Sequence, residues 1–556
     1  MKGYAMMIVL LISIFVSSCR KKEADSPVTP TVPVDFNISS SSINNTAAQP
    51  INYNVTVTPT IKFSFPTTIN RNSVTGSVSL KDASGATVSY NTSYEKTDSV
   101  IVISPAQPLN YLSRYNISVT TQLKSASGGN LTAPVQINFQ TAIDSSNKFP
   151  VISDDSLLTL VQKQTFKYFW DFGHPESGLS RERNSSGDLV TSGGSGFGIM
   201  AIVTGVHRKF VTRAEAVTRM QKIVSFLKNK ADKFHGAFPH WLNGATGVVI
   251  PFSAKDNGAD LVETSYLMQG LLTARQYFND AGAAETGLRN DITALYNAVE
   301  WNFFRKNNEQ VLYWHWSPNY NWDMNHKIQG WNECLVTYVL AASSPTFSVP
   351  KTVYDNGWAL SGGMKNNNFY YGLQLPLGPD HGGPLFFAHY SFLGINPTNL
   401  ADAYANYWNQ NKNHALINYN YVVSNPKGYY GYSNLSWGLT ASDIAGGYTA
   451  SSPTNDVGVI APTAAVSSIP YTPIESMQAL KFFYYVLGDK LWGEYGFRDA
   501  FSLKDIWFAD SYLAIDQGPM IIMIENYRSG LLWNLFTSCP EVKAGMKSLG
   551  FTAPYL

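Results

Sequence analysis

The segment DNGADLVETSYLMQGLLTARQYF (residues 256–278) places two acids at the start of an otherwise apolar helical stretch. Asp260 and Glu263 stand three residues apart. An acid at the N-cap followed by Glu at the third helical position is the pattern of a capping box, and both charges suit the positive end of the helix dipole. The simplest interpretation of the pair is structural, as a helix cap.

A third carboxylate, Asp256, lies in the same turn. Three carboxylates at one helix start repel one another and raise the pKa of at least one of them. A carboxyl group with a raised pKa is suited to general acid catalysis near neutral pH. Capping and chemistry therefore both remain open for Asp260 and Glu263.

Three more acids stand in apolar surroundings. Glu333 begins an apolar helix in HKIQGWNECLVTYVLAA, while Asp516 and Glu525 lie in YLAIDQGPMIIMIENY. Burying an unpaired charge costs several kcal/mol, so each acid should be paired or functional. For Glu525, an ion pair with an arginine such as Arg528 is an equally good interpretation. The candidate catalytic acids are thus Glu333, Asp260, Glu263 and Asp516.

Aromatic and polar residues are concentrated in loops between the predicted helices, as in YWHWSPNYNWDMNHKIQGW (residues 313–331). Aromatic faces suit the C–H faces of pyranose rings, and polar side chains can satisfy the hydroxyl groups. These residues predict a carbohydrate site. The candidate substrate-binding residues are Arg181, Arg183, His240, Trp241, Trp314, Trp316, Asn332, His381, Trp437 and Glu525.

The elements that must position these residues are helices. From residue 150 to residue 556, apolar residues recur at helical spacing, and amphipathic helices alternate with uniformly apolar ones. Outer and inner rings of helices produce this alternation, so the pattern predicts an (α/α)6 barrel with a pocket at one end. A helical solenoid is the alternative, but no repeat of fixed period supports it.

Residues 34–145 have the alternation of short strands, separated by Gly, Asn, Ser and Pro turns, which predicts a β-sandwich. The segment resembles bacterial Ig-like domains. All 13 Trp residues lie after residue 150, so we expect this domain to be a spacer, or else a carbohydrate-binding module without catalytic chemistry.

Residues 1–19 have the pattern of a secretory signal: a lysine, a short apolar run and small residues before Cys19. VSSC resembles a bacterial lipobox, which predicts lipidation of Cys19 and a cell-envelope lipoprotein, periplasmic or at the outer-membrane surface. An ordinary signal peptide is the alternative. Residues 20–33 are polar and contain Pro, as expected of a tether.

The net charge of +1 argues against nucleic acid as a partner. Cys334 and Cys539, the two cysteines besides Cys19, form neither a disulfide framework nor a zinc motif. No HExxH or GxSxG motif is present, so we expect no cofactor, although calcium held by loop oxygens stays open.

The region from Leu157 to Phe551 resembles the glycoamylase-like proteins of Bacteroidota grouped in glycoside hydrolase family 144. The resemblance rests on long ordered blocks, among them DLVETSYLMQGLLTARQYF, GPDHGGPLFFAHYSFLG and LAIDQGPMIIMIENYRSGLLW. It implies an (α/α)6 barrel that hydrolyses β-1,2-glucan or its oligosaccharides with inversion. It also implies catalytic roles among Asp260, Glu263 and Glu333, with Asp516 lining the pocket.

An inverting hydrolase needs a general acid and a general base about 6.5–9.5 Å apart. Asp260 and Glu263 are too close along one helix turn to be the obvious pair. We therefore expect partners from different helices, with Glu333 as the general acid and Asp260, Glu263 or Asp516 as the open choices for the base.

Two other functional classes compete with a hydrolase. A glycan-binding lipoprotein without activity would have the same aromatics and anchor, but it has no need of several acids at helix starts. A polysaccharide lyase would need Arg and Lys for uronate groups, whereas the candidates here are acids and aromatics. Within the hydrolase interpretation, endo action is favoured over exo release of disaccharides.

Overall fold

The computed structural model describes residues 32–556. The signal sequence, Cys19 and nearly all of the tether lie outside the described residues. The chain divides into two compact units at Ile143/Asp144. Within the part that is described, no helix has both the length and the apolarity that crossing a bilayer requires.

The first unit is built from two sheets. The strands are β1 Ser40–Ile43, β2 Thr46–Ala47, β3 Ile51–Val55, β4 Ile61–Ser64, β5 Val78–Asp82, β6 Tyr90–Glu95, β7 Val100–Pro105, β8 Arg114–Val119 and β9 Val135–Thr141. One sheet has the strand order β2-β1-β4-β7-β6 and is antiparallel throughout. The other has the order β3-β9-β8-β5, in which β3 and β9 are parallel.

The alternation of apolar and polar residues in these strands determines which face of each sheet is turned to the core. In β4, Ile61 and Phe63 are fully buried while Lys62 and Ser64 are partly exposed, and in β8 Ile117 and Val119 are buried in the same way. Successive side chains of a strand point to opposite faces, so each sheet turns one apolar face to the shared core. The prediction of an Ig-like β-sandwich is confirmed.

The second unit contains twelve helices of six or more residues, all in the range 144–556, every residue of which is described. They are α1 Asp154–Trp170, α2 Ser192–His207, α3 Arg213–Asn229, α4 Leu261–Tyr277, α5 Ala283–Asn297, α6 Leu335–Ser343, α7 Tyr407–Ser424, α8 Pro462–Ser467, α9 Pro473–Lys481, α10 Ala514–Ser529, α11 Leu531–Ser538 and α12 Pro540–Leu549.

Shorter elements occupy the connections between these helices. The strands are β10 Leu189–Thr191, β11 Trp241–Asn243, β12 Val249–Ile250, β13 Ala259–Asp260, β14 Leu312–Tyr313, β15 His315–Trp316, β16 Lys327–Ile328, β17 Phe369–Tyr370, β18 Leu373–Gln374, β19 Ala441–Ile444, β20 Gly447–Ala450, β21 Trp492–Gly493, β22 Gly496–Phe497, β23 Phe501–Ser502 and β24 Trp507–Phe508. Helical turns of the second unit occur at Trp301–Arg305, Lys351–Val353, Tyr354–Trp358, Leu360–Gly362, Asp380–Gly382, Leu385–Ala388, Ser391–Leu393, Phe482–Val486 and Gly488–Leu491, and the first unit has two more, at Arg71–Ser73 and Val74–Ser77.

The helices form two concentric rings. The inner ring consists of α2, α4, α6, the helical turns of residues 385–393, α8 and α10, and neighbours in this order pack against one another, with α10 closing on α2. The inner helices α2, α4 and α10 are buried on nearly all sides, whereas the outer helices α3 and α5 are amphipathic. The prediction of a mainly helical (α/α)6 barrel is therefore confirmed.

The inner helices all begin at the same end of the barrel. Helices α2 and α4 approach closely there because each presents a glycine to the other: a Cβ on Gly270 would lie 2.2 Å from the carbonyl oxygen of Gly196. Gly194 of α2 likewise lies against Ala514 at the start of α10, where a Cβ would be 2.7 Å from that of Ala514. The starts of three inner helices are thus brought together, and the acids of the sequence analysis lie at this end.

Candidate active site

Asp260 is the N-cap of α4. Its Oδ1 accepts the backbone N–H groups of Val262 at 3.0 Å and Glu263 at 2.9 Å, which satisfies two donors at the helix start. The capping role is therefore confirmed for Asp260. Its second oxygen, Oδ2, points to the histidine cluster described below and remains available for other partners.

Glu263 does not complete a capping box, so that part of the prediction is wrong. Its Oε2 reaches the start of the neighbouring inner helix instead, where it accepts the N–H of Gly193 at 2.8 Å and the hydroxyl of Thr191 at 3.3 Å. The close packing of α2 against α4 makes this contact possible. Burial and the charge of Asp260 raise the pKa of Glu263.

Two histidines join the carboxylates of Asp256 and Asp260. His240 Nδ1 lies 3.2 Å from Asp260 Oδ2, and His315 Nε2 lies 3.6 Å from Asp256 Oδ2 and 3.7 Å from Asp260 Oδ2. Burial lowers the pKa of His240, but the charges of Glu263, Asp260 and Asp256 outweigh burial and raise this pKa to about 9. His240 is therefore a cation at neutral pH.

The carboxylates respond in opposite directions. Burial together with the charge of Asp260 raises the pKa of Asp256 to about 7. For Asp260, burial is outweighed by the hydrogen bond from His240 and by the charges of the two histidines, which lower its pKa. The repulsion expected among three clustered carboxylates thus raises the pKa of Asp256 and of Glu263, but not that of Asp260.

A metal ion has one candidate position among residues 32–556. Ligand atoms of His240, Asp256 and Asp260 lie within 4.8 Å of one another and could hold a divalent cation. The protonated imidazole of His240 already supplies positive charge at the same place, so charge compensation does not require an ion.

Glu333 precedes α6, another inner helix. Glu333 is partly buried, and desolvation together with the charges of Glu263 and Asp260 raises its pKa to about 7. Its backbone carbonyl accepts the hydroxyls of Ser391 and, at 3.4 Å, Tyr266. The backbone is therefore held by neighbouring inner elements, while the carboxyl group has the pKa expected of a general acid.

Asp516 lies in the first turn of α10 and is buried beside Asp499. Burial and the hydrogen-bonded carboxyl of Asp499 raise the pKa of Asp516 well above its usual value, and burial raises that of Asp499 to about 6. The backbone N–H of Asp443 donates to Asp499 Oδ2 at 2.6 Å. The two buried carboxyl groups therefore raise the cost of ionising both, and a single proton held by the pair relieves their repulsion.

A cavity of about 350 Å³ is lined by Glu263 and His240 of these groups. Acids, one arginine and aromatic rings share its walls. Its lining residues are Glu182, Arg183, Thr191, His240, Trp241, Phe252, Glu263, Tyr390, Tyr448, Leu513 and Ile515.

Tyr390 links the acids around the cavity. Its hydroxyl donates to the carbonyl of Ile515 at 3.2 Å, beside Asp516, and its pKa is raised by burial and by the charges of Asp516, Glu333 and Glu263. Acids at or just before the starts of α4, α6 and α10 therefore act on one side chain, which is consistent with the barrel.

Three of the predicted binding residues, His240, Trp241 and Arg183, line this cavity, and Asn332 does not. His240 stacks on Phe252 with ring centroids 4.2 Å apart, and Trp241 contacts the same ring at 4.7 Å. Arg183 donates to Glu182 at 2.9 Å and to Asp443 at 3.2 Å. Asn332 is adjacent to Glu333, and its Oδ1 accepts the N–H of Cys334 at 2.9 Å, so the side chain braces the backbone.

Glu525 is not a substrate-binding residue. It lies at the far end of α10 from Asp516, and its buried carboxylate pairs with Arg208 through two hydrogen bonds of 2.6 and 2.8 Å. The expected partner Arg528 instead donates to Asp155 and Gln162. The alternative interpretation of Glu525 as a member of an ion pair is confirmed, but its partner is Arg208 and not Arg528.

Trp437 and Arg181 also make structural contacts. Trp437 is fully buried, and its indole N–H donates to the carbonyl of Glu475 at 3.3 Å. Arg181 donates to the carbonyls of Gly187 and Phe172 at 2.6 Å each and lies over the Phe172 ring. The prediction of substrate contact is wrong for Trp437, because its side chain is fully buried, whereas Arg181 is partly exposed and its substrate contact stays a prediction.

Three other predicted residues lie outside the cavity lining. Trp314 contacts the rings of His315 and His326, Trp316 contacts His235 and Phe303 edge-on, and His381 packs on Tyr370. A loop tryptophan can serve packing among loops as well as stacking on a sugar, and sequence composition does not separate the two uses.

Several residues of the site were missed in the sequence: His315, Tyr390, Asp443, Tyr448 and Asp499. Only Asp499 belongs to a segment, YGFRDAF, in which an acid follows an aromatic run and so has a recognisable signal. The others come from separate loops, and only the barrel brings them together.

Comparisons with known proteins agree on one family. The Glycoamylase family model, whose description is a glucoamylase, matches residues 325–540, and the model of the bacterial Ig-like domain matches residues 33–141. The endo-β-1,2-glucanase of Chitinophaga pinensis, solved with sophorotriose and glucose, is 53% identical with a TM-score of 0.71, and the match covers 73% of this chain and 100% of that chain.

Two of the comparisons also find similarity to Parabacteroides distasonis. A β-1,2-glucanase structure is 37% identical with a TM-score of 0.70 and covers 94% of this chain and 74% of that chain. An exo β-1,2-glucooligosaccharide sophorohydrolase acting at the non-reducing end is 47% identical over 427 residues, 73% of this chain. The chain spans 59% of the length of this curated relative.

Identity above 50% over the full length of a solved relative, the Ig-like match and the double ring of helices all agree. The chain therefore belongs to the glycoamylase-like family that contains these bacterial β-1,2-glucanases, as an (α/α)6 barrel that follows an Ig-like domain.

Proposed function

We propose that the protein is a glycoside hydrolase that cleaves β-1,2-glucan in its barrel domain. The observation that carries the proposal is the site around Tyr390, which lines the cavity together with Glu263 and is subject to the charges of Glu333 and Asp516, near the starts of two other inner helices. Aromatic rings at the cavity suit a neutral sugar chain. The similarity to the Chitinophaga pinensis glucanase over the whole of that chain supports this substrate.

Glu333 is proposed as the general acid. A pKa of about 7 leaves a large fraction of its carboxyl groups protonated near neutral pH. In the reaction, this proton passes to the glycosidic oxygen as the bond between that oxygen and the anomeric carbon breaks. Tyr266 and Ser391 hold the backbone of Glu333 in place through its carbonyl.

Asp516 is proposed as the general base. It belongs to a different helix from Glu333, and the Asp516–Asp499 pair holds one proton and one negative charge. The raised pKa means that Asp516 is itself protonated unless Asp499 holds the proton of the pair, and in that state the Asp516 carboxylate is a stronger base than Asp260, whose pKa is lowered. Asp516 takes a proton from water as the water oxygen bonds to the anomeric carbon, and attack opposite the leaving group inverts that carbon.

Asp260, Glu263 and His240 are proposed to bind sugar hydroxyls. The protonated His240 donates hydrogen bonds, and the carboxylate oxygens accept them. The mechanism uses no metal ion or organic cofactor. Dialysis against EDTA should therefore leave the rate of glucan cleavage unchanged.

Endo action is the first candidate, because the Chitinophaga pinensis endo-enzyme is 53% identical and is covered completely. Exo release of sophorose is the second candidate, since the sophorohydrolase of Parabacteroides distasonis is 47% identical. The two relatives are too similar in identity for this number alone to decide the mode of action.

The test is to incubate the protein with linear β-1,2-glucan, β-1,3-glucan, β-1,4-linked oligosaccharides and starch, and to separate the products over time. We expect cleavage of β-1,2-glucan alone, with products of several lengths at early times. A single disaccharide from the first time point would establish exo action. Cleavage of starch instead would overturn the substrate, and binding of β-1,2-glucan without cleavage would indicate a glycan-binding protein.

We also infer that the protein is anchored in the cell envelope through a lipid on Cys19. The support is the lipobox-like sequence VSSC, which lies outside the described residues. Expression of the full chain and of a Cys19→Ala variant in a bacterial host tests this inference. The full chain should partition into detergent with the membranes, and equal partitioning of the variant would contradict lipidation.

A further inference from the structure

A second, open groove of about 450 Å³ lies next to the catalytic cavity. We call it the outer groove and define it by Arg183, Asp443, Gly447, Trp507, Asp510 and Ser511, which line it. Its volume falls in the roughly 300–1,000 Å³ range of ligand-binding pockets. None of the roles proposed above uses Trp507 or Asp510.

The outer groove and the catalytic cavity share a wall. Arg183 lines both, and the hairpin of β19 and β20 contributes to both: Tyr448 faces the catalytic cavity, whereas Gly447 lines the outer groove. Arg183 is held against Asp443 of the same hairpin at 3.2 Å. A chain that leaves the cavity past Arg183 therefore enters the outer groove.

Trp507 has the properties of a stacking surface. Its side chain is partly exposed, and within residues 32–556 its indole N–H makes no hydrogen bond and its ring makes no contact with another aromatic ring. The strand that carries it is nevertheless fixed, because the neighbouring Phe508 stacks on Phe501 with ring centroids 5.8 Å apart. An aromatic ring that is held in place but has no partner is suited to the apolar face of a pyranose.

Polar groups at the edges of the groove complement this ring. Asp510 is exposed, and the Ser511 hydroxyl donates to Asp443 Oδ2 at 2.5 Å, which orders that side of the groove. Carboxylate and guanidinium groups around one aromatic face match the ring faces and equatorial hydroxyls of a neutral hexose. The composition does not match a phosphate or uronate, because acids outnumber the single arginine.

We propose that the outer groove is an additional glucosyl-binding subsite, in which Trp507 stacks on a sugar unit of a β-1,2-glucan chain whose scissile bond lies in the catalytic cavity. This inference rests on the proposed function. It makes the outer groove a determinant of chain-length preference rather than part of the chemistry.

The test compares kcat/KM for linear β-1,2-glucan with kcat/KM for the shortest β-1,2-linked oligosaccharide that the wild-type protein cleaves. We expect Trp507→Ala to lower the value for the polymer about tenfold and that for the short substrate less than twofold. Trp507→Phe keeps an aromatic face and should retain most of the polymer activity.

Tyr527→Ala is the matched control, since Tyr527 is an exposed aromatic residue at the opposite end of α10. It should change neither value. If Trp507→Ala unfolds at a lower temperature than the wild-type protein, Asp510→Ala is used as the test variant instead. We expect Asp510→Ala to lower kcat/KM for the polymer and to leave kcat/KM for the short substrate unchanged. Equal losses on both substrates, or no loss on the polymer, would overturn the subsite. Failure of the wild-type protein to cleave any β-1,2-glucan would instead refute the proposed function on which the subsite rests.

Discussion

Individual carboxyl groups in this barrel differ because their surroundings differ. Asp260 receives two helix N–H groups and contacts two histidines, which lower its pKa, whereas Glu333 is partly desolvated near other carboxylates, which raises its pKa to about 7. One pocket can therefore hold an ionised and a protonated carboxyl at the same pH. This difference allows acid and base chemistry together.

The pH dependence of activity and of the free energy of unfolding should reflect the ionisation of the Glu333 carboxyl group. Its carboxyl must be protonated to act, so the rate should fall about tenfold for each pH unit above about pH 7. The pKa is raised from 4.5, so the stability associated with Glu333 is present below about pH 4.5 and is lost as the pH rises to about 7.

Glu333→Gln removes this titration. Thermal unfolding should therefore show the variant more stable than the wild-type protein at pH 8, by up to about 3 kcal/mol, and equally stable at pH 4.5. Activity should be lost at both pH values. A variant less stable than the wild-type protein at pH 8 would contradict a carboxyl with a raised pKa.

Capping and chemistry at Asp260 can be separated by substitution. Asn caps a helix about as well as Asp does, so Asp260→Asn should keep the stability of α4 while removing the charge that His240 contacts. Asp260→Ala should lose about 1 kcal/mol more in free energy of unfolding. Denaturant unfolding and rate measurements on the two variants test this, and full activity of Asp260→Asn would mean that Asp260 is a cap alone.

At the scale of elements, the site depends on how closely inner helices pack. The Glu263 carboxylate reaches the first turn of α2 only because Gly196 and Gly270 let α2 and α4 approach. A Cβ at Gly270 would overlap the Gly196 carbonyl, and neither backbone can move without displacing its ring of helices. Helix spacing and the geometry of the carboxylates are thus linked.

Gly270→Ala should therefore lower the free energy of unfolding by about 2–3 kcal/mol and also reduce activity. Gly287→Ala in the outer helix α5 is the matched control, since a Cβ there has nothing within 4 Å. This control should gain up to about 1 kcal/mol, because alanine favours a helix over glycine. Equal effects of the two substitutions would contradict the close contact.

The sequence predicts the elements better than it predicts the contacts between them. Apolar spacing identifies the inner and outer helices, and the acids at helix starts identify Asp260, Glu333 and Asp516. The partners of Glu525 and Trp437 depend on tertiary packing, so both were assigned to the substrate although one pairs with Arg208 and the other is fully buried. Tyr390 and Asp443 have no local signal, because their place in the site comes from loops far apart in the chain.

At the scale of the whole molecule, the groups proposed to act in catalysis belong to only one of the two compact units. The Ig-like domain has its own buried core, including Phe63 and Phe139, and the acids and both cavities described above belong to residues 144–556. The catalytic proposal therefore requires only the second unit, and the first is expected to be a spacer or a binding module.

A fragment of residues 144–556 should fold and cleave soluble β-1,2-oligosaccharides at a rate within about twofold of the protein that retains both units, because every proposed catalytic group has its core and partners in that range. Circular dichroism and rates on short oligosaccharides check this. A folded fragment with strongly reduced activity on short oligosaccharides would assign the Ig-like domain a direct part in the site.

The most direct measurement of the central claim is the rate of linear β-1,2-glucan cleavage by the wild-type protein beside Glu333→Gln, Asp516→Asn and Glu525→Gln. The first two variants remove the proposed acid and base, and the third alters a buried acid that pairs with Arg208 far from the cavity. We predict losses of more than about 10³ for Glu333→Gln and Asp516→Asn, with the Glu525→Gln protein still active wherever it is folded. Cleavage by folded Glu333→Gln or Asp516→Asn at close to the wild-type rate would contradict the assignment of the active site.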